Sequence, residues 1–149
     1  MGAMTGNSTH RAHDRLDLRS RLSDIAQIPT WVEQLASRYN FSKDLQFAID
    51  LCLEEAIANI IVYGYRGDDE RPVSVSLATP RDGHFIFAVE DEAPRFNPLD
   101  APELPPLNPD EEIRIGGQGL RLLRGFAHSL EYEPTAKGNR LRIGFSATA

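Results

Sequence analysis

The stretch LCLEEAIANIIVYGY, residues 51–65, decides how the rest of the chain is read. With the residues before it, apolar side chains at Leu45, Ile49, Cys52, Ala56, Ile60 and Tyr63 recur at helical spacing, which predicts a helix over 42–63. Ser42 can accept the orphan amide hydrogen bonds at its start, and Asp44 suits the positive end of the dipole. Gly64 suits a left-handed residue after the last turn. Glu55 and Asn59 interrupt the apolar run. Four residues at about 100° each leave them about 40° apart, on one face and one turn from each other. A helix this apolar buries most of its surface, and a buried Asn needs hydrogen-bond or metal partners. Taken alone, the pair reads in two ways. One is a solvated acid beside a satisfied amide. The other is a carboxylate and an amide oxygen facing one pocket, suited to a base and a hard-cation ligand.

Composition narrows the classes. A chain of 149 residues makes one domain, large enough for a core without disulfides. The 41% apolar content and modest Gly and Pro indicate a globular rather than a disordered chain. A net charge of −6 argues against direct nucleic-acid or anionic-membrane binding, both of which need a basic face. Cys52 is the only cysteine and falls on the apolar helix face, where it reads as a small core hydrophobe; this fits a reducing cytoplasm. His10, His13, His84 and His128 lack metal-ligand spacing. No apolar run has the length of a membrane span, and the opening MGAM resembles an expression remnant. Residues 1–11 are therefore expected to be a disordered or tag-derived N-terminus, and 12–149 a single domain.

From the central helix outward, strand and helix signals alternate. Leu16 and Leu18 alternate with charged residues as an edge strand. A helix is predicted over about 23–40, with Pro29 in its first turns and Trp31, Leu35 and Tyr39 inward. After Gly64, the polar RGDDERP turn leads to Val73, Val75 and Leu77, then a turn over 80–83, then Phe85, Phe87 and Val89. The alternation predicts an antiparallel hairpin ending at Asp91. Between residues 92 and 115 periodicity stops and six prolines fall (94, 98, 102, 105, 106, 109), which no long helix or central strand tolerates. Such a segment reads as a lid over a site or as a surface linker; core elements on both sides favour the lid.

GGQGLRLLRGFA, residues 116–127, comes next. Leu120, Leu123 and Phe126 have helical spacing, so the glycines precede a helix N-terminus, a place that presents free N–H groups to phosphate. A tight turn is the other reading; the stretch is neither a Walker A loop nor a GxGxxG fingerprint. Arg121 and Arg124 read as a solvated face or as phosphate contacts. Two strands, over 129–133 and 139–145, close the chain around a PTAKG turn.

Three of these stretches, in this order, resemble the N, G1 and G2 boxes of the GHKL, or Bergerat-fold, ATPases: Glu55-x-x-x-Asn59, then Val89-Glu90-Asp91-x-Ala93, then Gly116-Gly117-x-Gly119-Leu120. Within that superfamily LEEAIANIIVYGY, EDEAPRFNPL and IGGQGLRLLR are most similar to the anti-sigma-factor serine kinases of bacterial partner-switching systems. The resemblance implies an α/β two-layer sandwich, a mixed, mostly antiparallel sheet with helices on one face. It also implies ATP and Mg²⁺ as cofactors, with Asn59 holding the metal. Glu55 would take the proton of an attacking serine, and Asp91 would accept the adenine amino group. Ala93 would lie beside the base. Gly116, Gly117, Gly119 and Leu120 would approach phosphate, under residues 92–115 as the lid. Phosphoryl transfer of this kind rests on positioning and charge neutralisation. The implied partners are a STAS-domain anti-anti-sigma protein, a sigma factor and a second copy in a homodimer. Two alternatives stand beside this reading: an ATP-gated anti-sigma module with little or no kinase activity, and an ATPase whose hydrolysis drives a clamp. The chain departs from the family pattern at three places. Ala93 replaces the G1 glycine, Tyr63 stands where His is common, and Asn139-Arg140 occupies a place where many relatives carry Thr.

Overall fold

Strand β1 (Asp14–Arg19) is an edge strand, as its alternation predicts, with Leu18 turned inward. The computed structural model describes residues 14–68, 70–100 and 119–147; the expected N-terminal tail, Gly116, Gly117 and the expected lid beyond Asp100 lie outside the described residues. A 3₁₀ turn, Leu22–Ala26, leads into helix α1 (Gln27–Tyr39), so the helix expected from about residue 23 starts as a tighter coil. Pro29 lies in the first turn of α1, where its missing N–H is no loss. Ile28, Trp31, Val32 and Leu35 form its buried stripe, and Asn40 ends it in the left-handed region (φ 58°).

Helix α2 (Lys43–Asn59) begins where the capping argument places it. Ser42 Oγ accepts the Leu45 N–H at 3.0 Å, and Asp44 stands in the first turn. Its end differs from expectation. Ile60–Gly64 widens into a π-helical turn closed by the Tyr65 N–H on the Ile60 carbonyl at 2.8 Å. The left-handed residues come later, at Arg66 (φ 52°) and Gly67 (φ 90°), not at Gly64. The added residue per turn rotates the side chains beyond it about the helix axis. Tyr63, expected on the buried face, is half-exposed, and Tyr65 is buried instead. Gly64 is small for another reason: an added Cβ would stand 3.1 Å from the Ala93 Cβ.

Strands β2 (Pro72–Arg81) and β3 (His84–Asp91) form the predicted hairpin, with β2 running on to Arg81 and Gly83 at φ 77° in the turn. Helix α3 (Gly119–Phe126), β4 (Ser129–Pro134) and β5 (Asn139–Ser146) complete the described chain. Leu123 is fully buried, whereas Phe126 is exposed and meets the more exposed Phe47 ring edge-on, at 6.0 Å. The sheet order is β1-β2-β3-β5-β4, and every pairing among the described residues is antiparallel, so the expected mostly antiparallel sheet contains no parallel pair there.

Alternation puts Val73, Val75, Leu77, Phe85, Phe87, Val89, Leu141 and Ile143 in one core with the helices. Trp31 meets Phe87 edge-on at 6.0 Å, and Phe41 meets Phe85 at 4.8 Å. The charged alternates lie on the other side of the sheet, as in the Glu90–Arg140–Glu133 chain of ion pairs (2.9 and 2.8 Å). The result is the α/β two-layer sandwich. Its β3–β5 register sets Asp91 directly opposite Asn139. Among the described residues no helix is long and apolar enough to cross a membrane.

Candidate functional site

Asp91 is the last residue of β3 and is 7% exposed. Its Oδ1 accepts the Ala93 N–H at 2.9 Å and the Asn139 side-chain amide at 2.8 Å. Burial raises the Asp91 carboxyl above the usual range; these two hydrogen bonds pull it down, and the charge of Glu92 pushes it up again. Asn139 opens β5 and is 5% exposed. Its Nδ2 also reaches the carbonyls of Pro94 (3.2 Å) and Ala93 (3.3 Å). Its Oδ1 accepts the Phe96 N–H (2.9 Å) and the Tyr132 hydroxyl (2.5 Å).

Two further contacts hold this corner. The Tyr65 hydroxyl donates to the Pro72 carbonyl and accepts the Glu92 N–H, both at 2.6 Å, tying the turn after α2 to the ends of β2 and β3. Gly138 lies so close to β3 that an added Cβ would fall 2.7 Å from the Glu92 Cα and nearer still to the Asp91 carbonyl. Only a residue without a Cβ permits that approach.

The other half of the site is on α2. Asn59, its last residue, is 9% exposed, and among the described residues its amide has no hydrogen-bond partner. One turn earlier, Glu55 is half-buried and its Oε2 is buried without a partner. Burial, then the nearby charge of Glu54, raise its carboxyl above the usual range. Cys52, beside it, is fully buried; burial and the Glu55 charge push its thiol up to about 12, so it stays a core thiol as its position predicts.

Asn59 and Asp91 line one small cavity, together with Ile60, Phe96, Tyr132 and Asn139. It holds about 20 Å³, room for a single water. Glu55 does not line it, and neither does Ala93, which packs behind Asp91 against Gly64. The backbone of Gly119 and Leu120 opens α3, as the glycine-then-helix reading requires. Arg124 is bound at 3.2 Å to the Leu99 carbonyl. The Asn59 amide oxygen, at the wall of this cavity, is a hard donor of the kind Mg²⁺ accepts, so Asn59 fits that ion.

Sequence reasoning noted Asn139 only as a departure and did not single out Phe96, Tyr132 or Tyr65. The signal for Tyr132 was its alternation with Leu130 on the inner face of β4, which brings a hydroxyl to the core side of the β5 start. Arg140, named with Asn139, points to the opposite face and its ion pairs.

Residues 18–145 match the family model described as a histidine kinase-like ATPase domain. A serine/threonine-protein kinase of Bordetella bronchiseptica, BtrW, is 27% identical over 130 residues, covering 87% of this chain and 91% of the relative. An anti-sigma F factor of Clostridium perfringens is 26% identical over 118 residues, covering 78% of this chain and 76% of the relative. The solved RsbU and RsbW domains of Rv1364c from Mycobacterium tuberculosis share the fold (TM-score 0.62, 14% identity), matching 89% of this chain and 32% of theirs. With the antiparallel sandwich, the Glu55–Asn59 helix face and the Asp91 corner in place, the chain belongs to the histidine kinase-like ATPase domain family.

Proposed function

We propose that this chain is an ATP- and Mg²⁺-dependent protein-serine kinase and anti-sigma factor. Its substrate in this reading is a STAS-type anti-anti-sigma protein, and its second partner is a sigma factor. The reading includes a homodimer in the cytoplasm, with no direct contact to nucleic acid or membrane. One observation carries it: a single cavity is bounded by Asn59 of α2 and by Asp91 of β3. The kinase and anti-sigma names of the relatives support it.

Asp91 accepts the adenine amino group through Oδ2, because Oδ1 already takes two donors. Asn59 would hold Mg²⁺, which when bound neutralises phosphate charge. Gly116, Gly117, Gly119 and Leu120 would offer backbone N–H groups to phosphate, the last two opening α3, and Ala93 braces the base side. Glu55 takes the proton of the substrate hydroxyl; its raised carboxyl and partnerless Oε2 suit a base that meets its partner only in the complex. Residues 92–115 close over the site as the lid.

The test is incubation with γ-labelled ATP, Mg²⁺ and a STAS protein from the same operon. The wild type transfers label to a serine, and Glu55→Gln binds nucleotide normally while transferring about 10²–10⁴-fold more slowly. A Glu55→Gln variant that transfers at the wild-type rate removes Glu55 as the base. Nucleotide binding without transfer by the wild type leaves the ATP-gated anti-sigma module.

A further inference from the structure

Asp91 in the described chain is oriented by a neighbour whose hydrogen-bonding capacity is fully used. The Asn139 amide has two N–H donors and two acceptor lone pairs. The donors are shared among Asp91 Oδ1, the Pro94 carbonyl and the Ala93 carbonyl, at 2.8, 3.2 and 3.3 Å. The lone pairs take the Phe96 N–H and the Tyr132 hydroxyl, at 2.9 and 2.5 Å. Nothing is left over for a ligand, although Asn139 lines the cavity. An Asn side chain otherwise rotates broadly about its last torsion and can exchange oxygen for nitrogen. Here the Phe96 N–H can only donate and so needs an oxygen, which fixes the amide with its nitrogen toward Asp91; the Tyr132 hydroxyl donates to the same oxygen.

Resting on the nucleotide reading above, we infer that Asn139, held by Tyr132, is the positioning residue for base recognition: it keeps the Asp91 carboxylate an oriented acceptor, and so selects a 6-amino over a 6-oxo purine. Two physical effects act together. The amide occupies Oδ1 with Ala93, which leaves Oδ2 as the acceptor for the base. It also opposes the burial that favours protonation. A protonated Asp91 would donate, and a donor suits the 6-oxo group that the site is built to refuse. The other titratable groups acting around Asp91 are Glu92, next in the chain, and Tyr65, on the turn after α2. The same amide holds the backbone of residues 93–96, so base recognition and the start of the lid segment share one fastening.

The experiment is calorimetric titration of the full chain with ATP and with ITP, its 6-oxo counterpart, in Mg²⁺ over a range of pH. The wild type should prefer ATP by about 10-fold or more, the scale of a hydrogen bond to a charged group. Asn139→Ala should bring the ATP/ITP ratio close to one and move the acid limb of ATP affinity to higher pH. Tyr132→Phe, which deletes one hydroxyl, should lower the ratio about 3-fold, the scale of an ordinary hydrogen bond. It carries the test if Asn139→Ala does not fold. ATP and ITP weakened equally, with the ratio and the acid limb unchanged, would make Asn139 a brace for the loop and overturn the inference. An unchanged ratio in Tyr132→Phe overturns the role of Tyr132. A wild type that binds neither nucleotide fails the nucleotide reading itself, which a selective loss in the variants does not.

Discussion

The two ends of the candidate site are built in opposite ways. At the β3–β5 corner the polar groups are paired within the chain: Asp91 Oδ1 takes two donors, Asn139 is saturated, and Tyr65 makes two hydrogen bonds. On α2 the groups of the site have no partners among the described residues: the amide of Asn59 and Oε2 of Glu55. A buried polar group without a partner costs stability, whereas a completed network fixes geometry. The corner is therefore finished by folding. The helix end is finished only by what binds it, which is the arrangement expected where charge arrives with a ligand.

The strongest way to break this contrast is to remove a group from each end and compare the free protein with the bound one. Asn59→Ala should weaken Mg²⁺-dependent nucleotide binding by about 100-fold or more, since even the outer partners of a metal ligand matter 10–100-fold. Its melting temperature without nucleotide should stay near that of the wild type, because no hydrogen bond among the described residues is lost. Scanning calorimetry with and without MgATP reads both effects. A large drop in the melting temperature of the free protein would show that Asn59 belongs to the folded network after all.

The matching change at the corner should do the reverse. Gly138→Ala places a methyl against the Asp91–Glu92 backbone, which has no flexible side chain to yield. Overpacking of this kind costs about 1–3 kcal/mol. For a chain of this size each kcal/mol lowers the melting temperature by roughly 2–4 °C. Nucleotide affinity should fall with it, because the displaced strand carries Asp91. Urea unfolding with an unchanged slope would identify a stability effect on the folded state, and a variant as stable as the wild type would refute the close approach.

The contrast also explains which parts were legible in the sequence. Helix spacing and capping gave α2, with Ser42 and Asp44 as predicted, because both are local. Strict alternation gave the five strands of the described residues, and the order of three motifs gave the family. The π-helical turn at Ile60–Gly64 was not legible, since nothing local in IIVYG distinguishes an i→i+5 bond from an i→i+4 bond. Its consequences were misread with it: Tyr63 for Tyr65 on the inside, and Gly64 as a cap rather than a neighbour of Ala93. The Asn139 network was hidden for a related reason. It depends on register across β3, β5 and β4, and sequence spacing says nothing of the register between strands 48 residues apart. Glu55 and Asn59 were visible because one helix carries both.

The smallest expected effect concerns the acidic side of α2 and tests whether its groups are unsettled in the free protein. Asp50 lies one turn before Glu54 and near Glu33 of α1. Burial first, then the charges of Glu54 and Glu33, raise its carboxyl to about 6. A carboxyl that binds its proton more tightly folded than unfolded stabilises the fold fully below its unfolded value. That contribution is lost as pH rises through the folded value. Glu54, Glu55 and Asp91 are also raised, chiefly by burial, and act in the same direction. The Asp50 contribution to stability should therefore decline between about pH 4 and pH 6 and level off above it, with the other three groups adding to the decline. Asp50 is only partly buried, so solvent screening reduces its share to about 1 kcal/mol. Asp50→Asn should flatten part of that decline and raise the melting temperature at pH 7.5 by roughly 2–4 °C, with little change at pH 4. Thermal unfolding of wild type and variant across this range measures the difference directly. Equal melting temperatures at both pH values would mean that the buried Asp50 carboxyl is already compensated in the free protein, so that α2 carries its unpartnered groups only at Glu55 and Asn59.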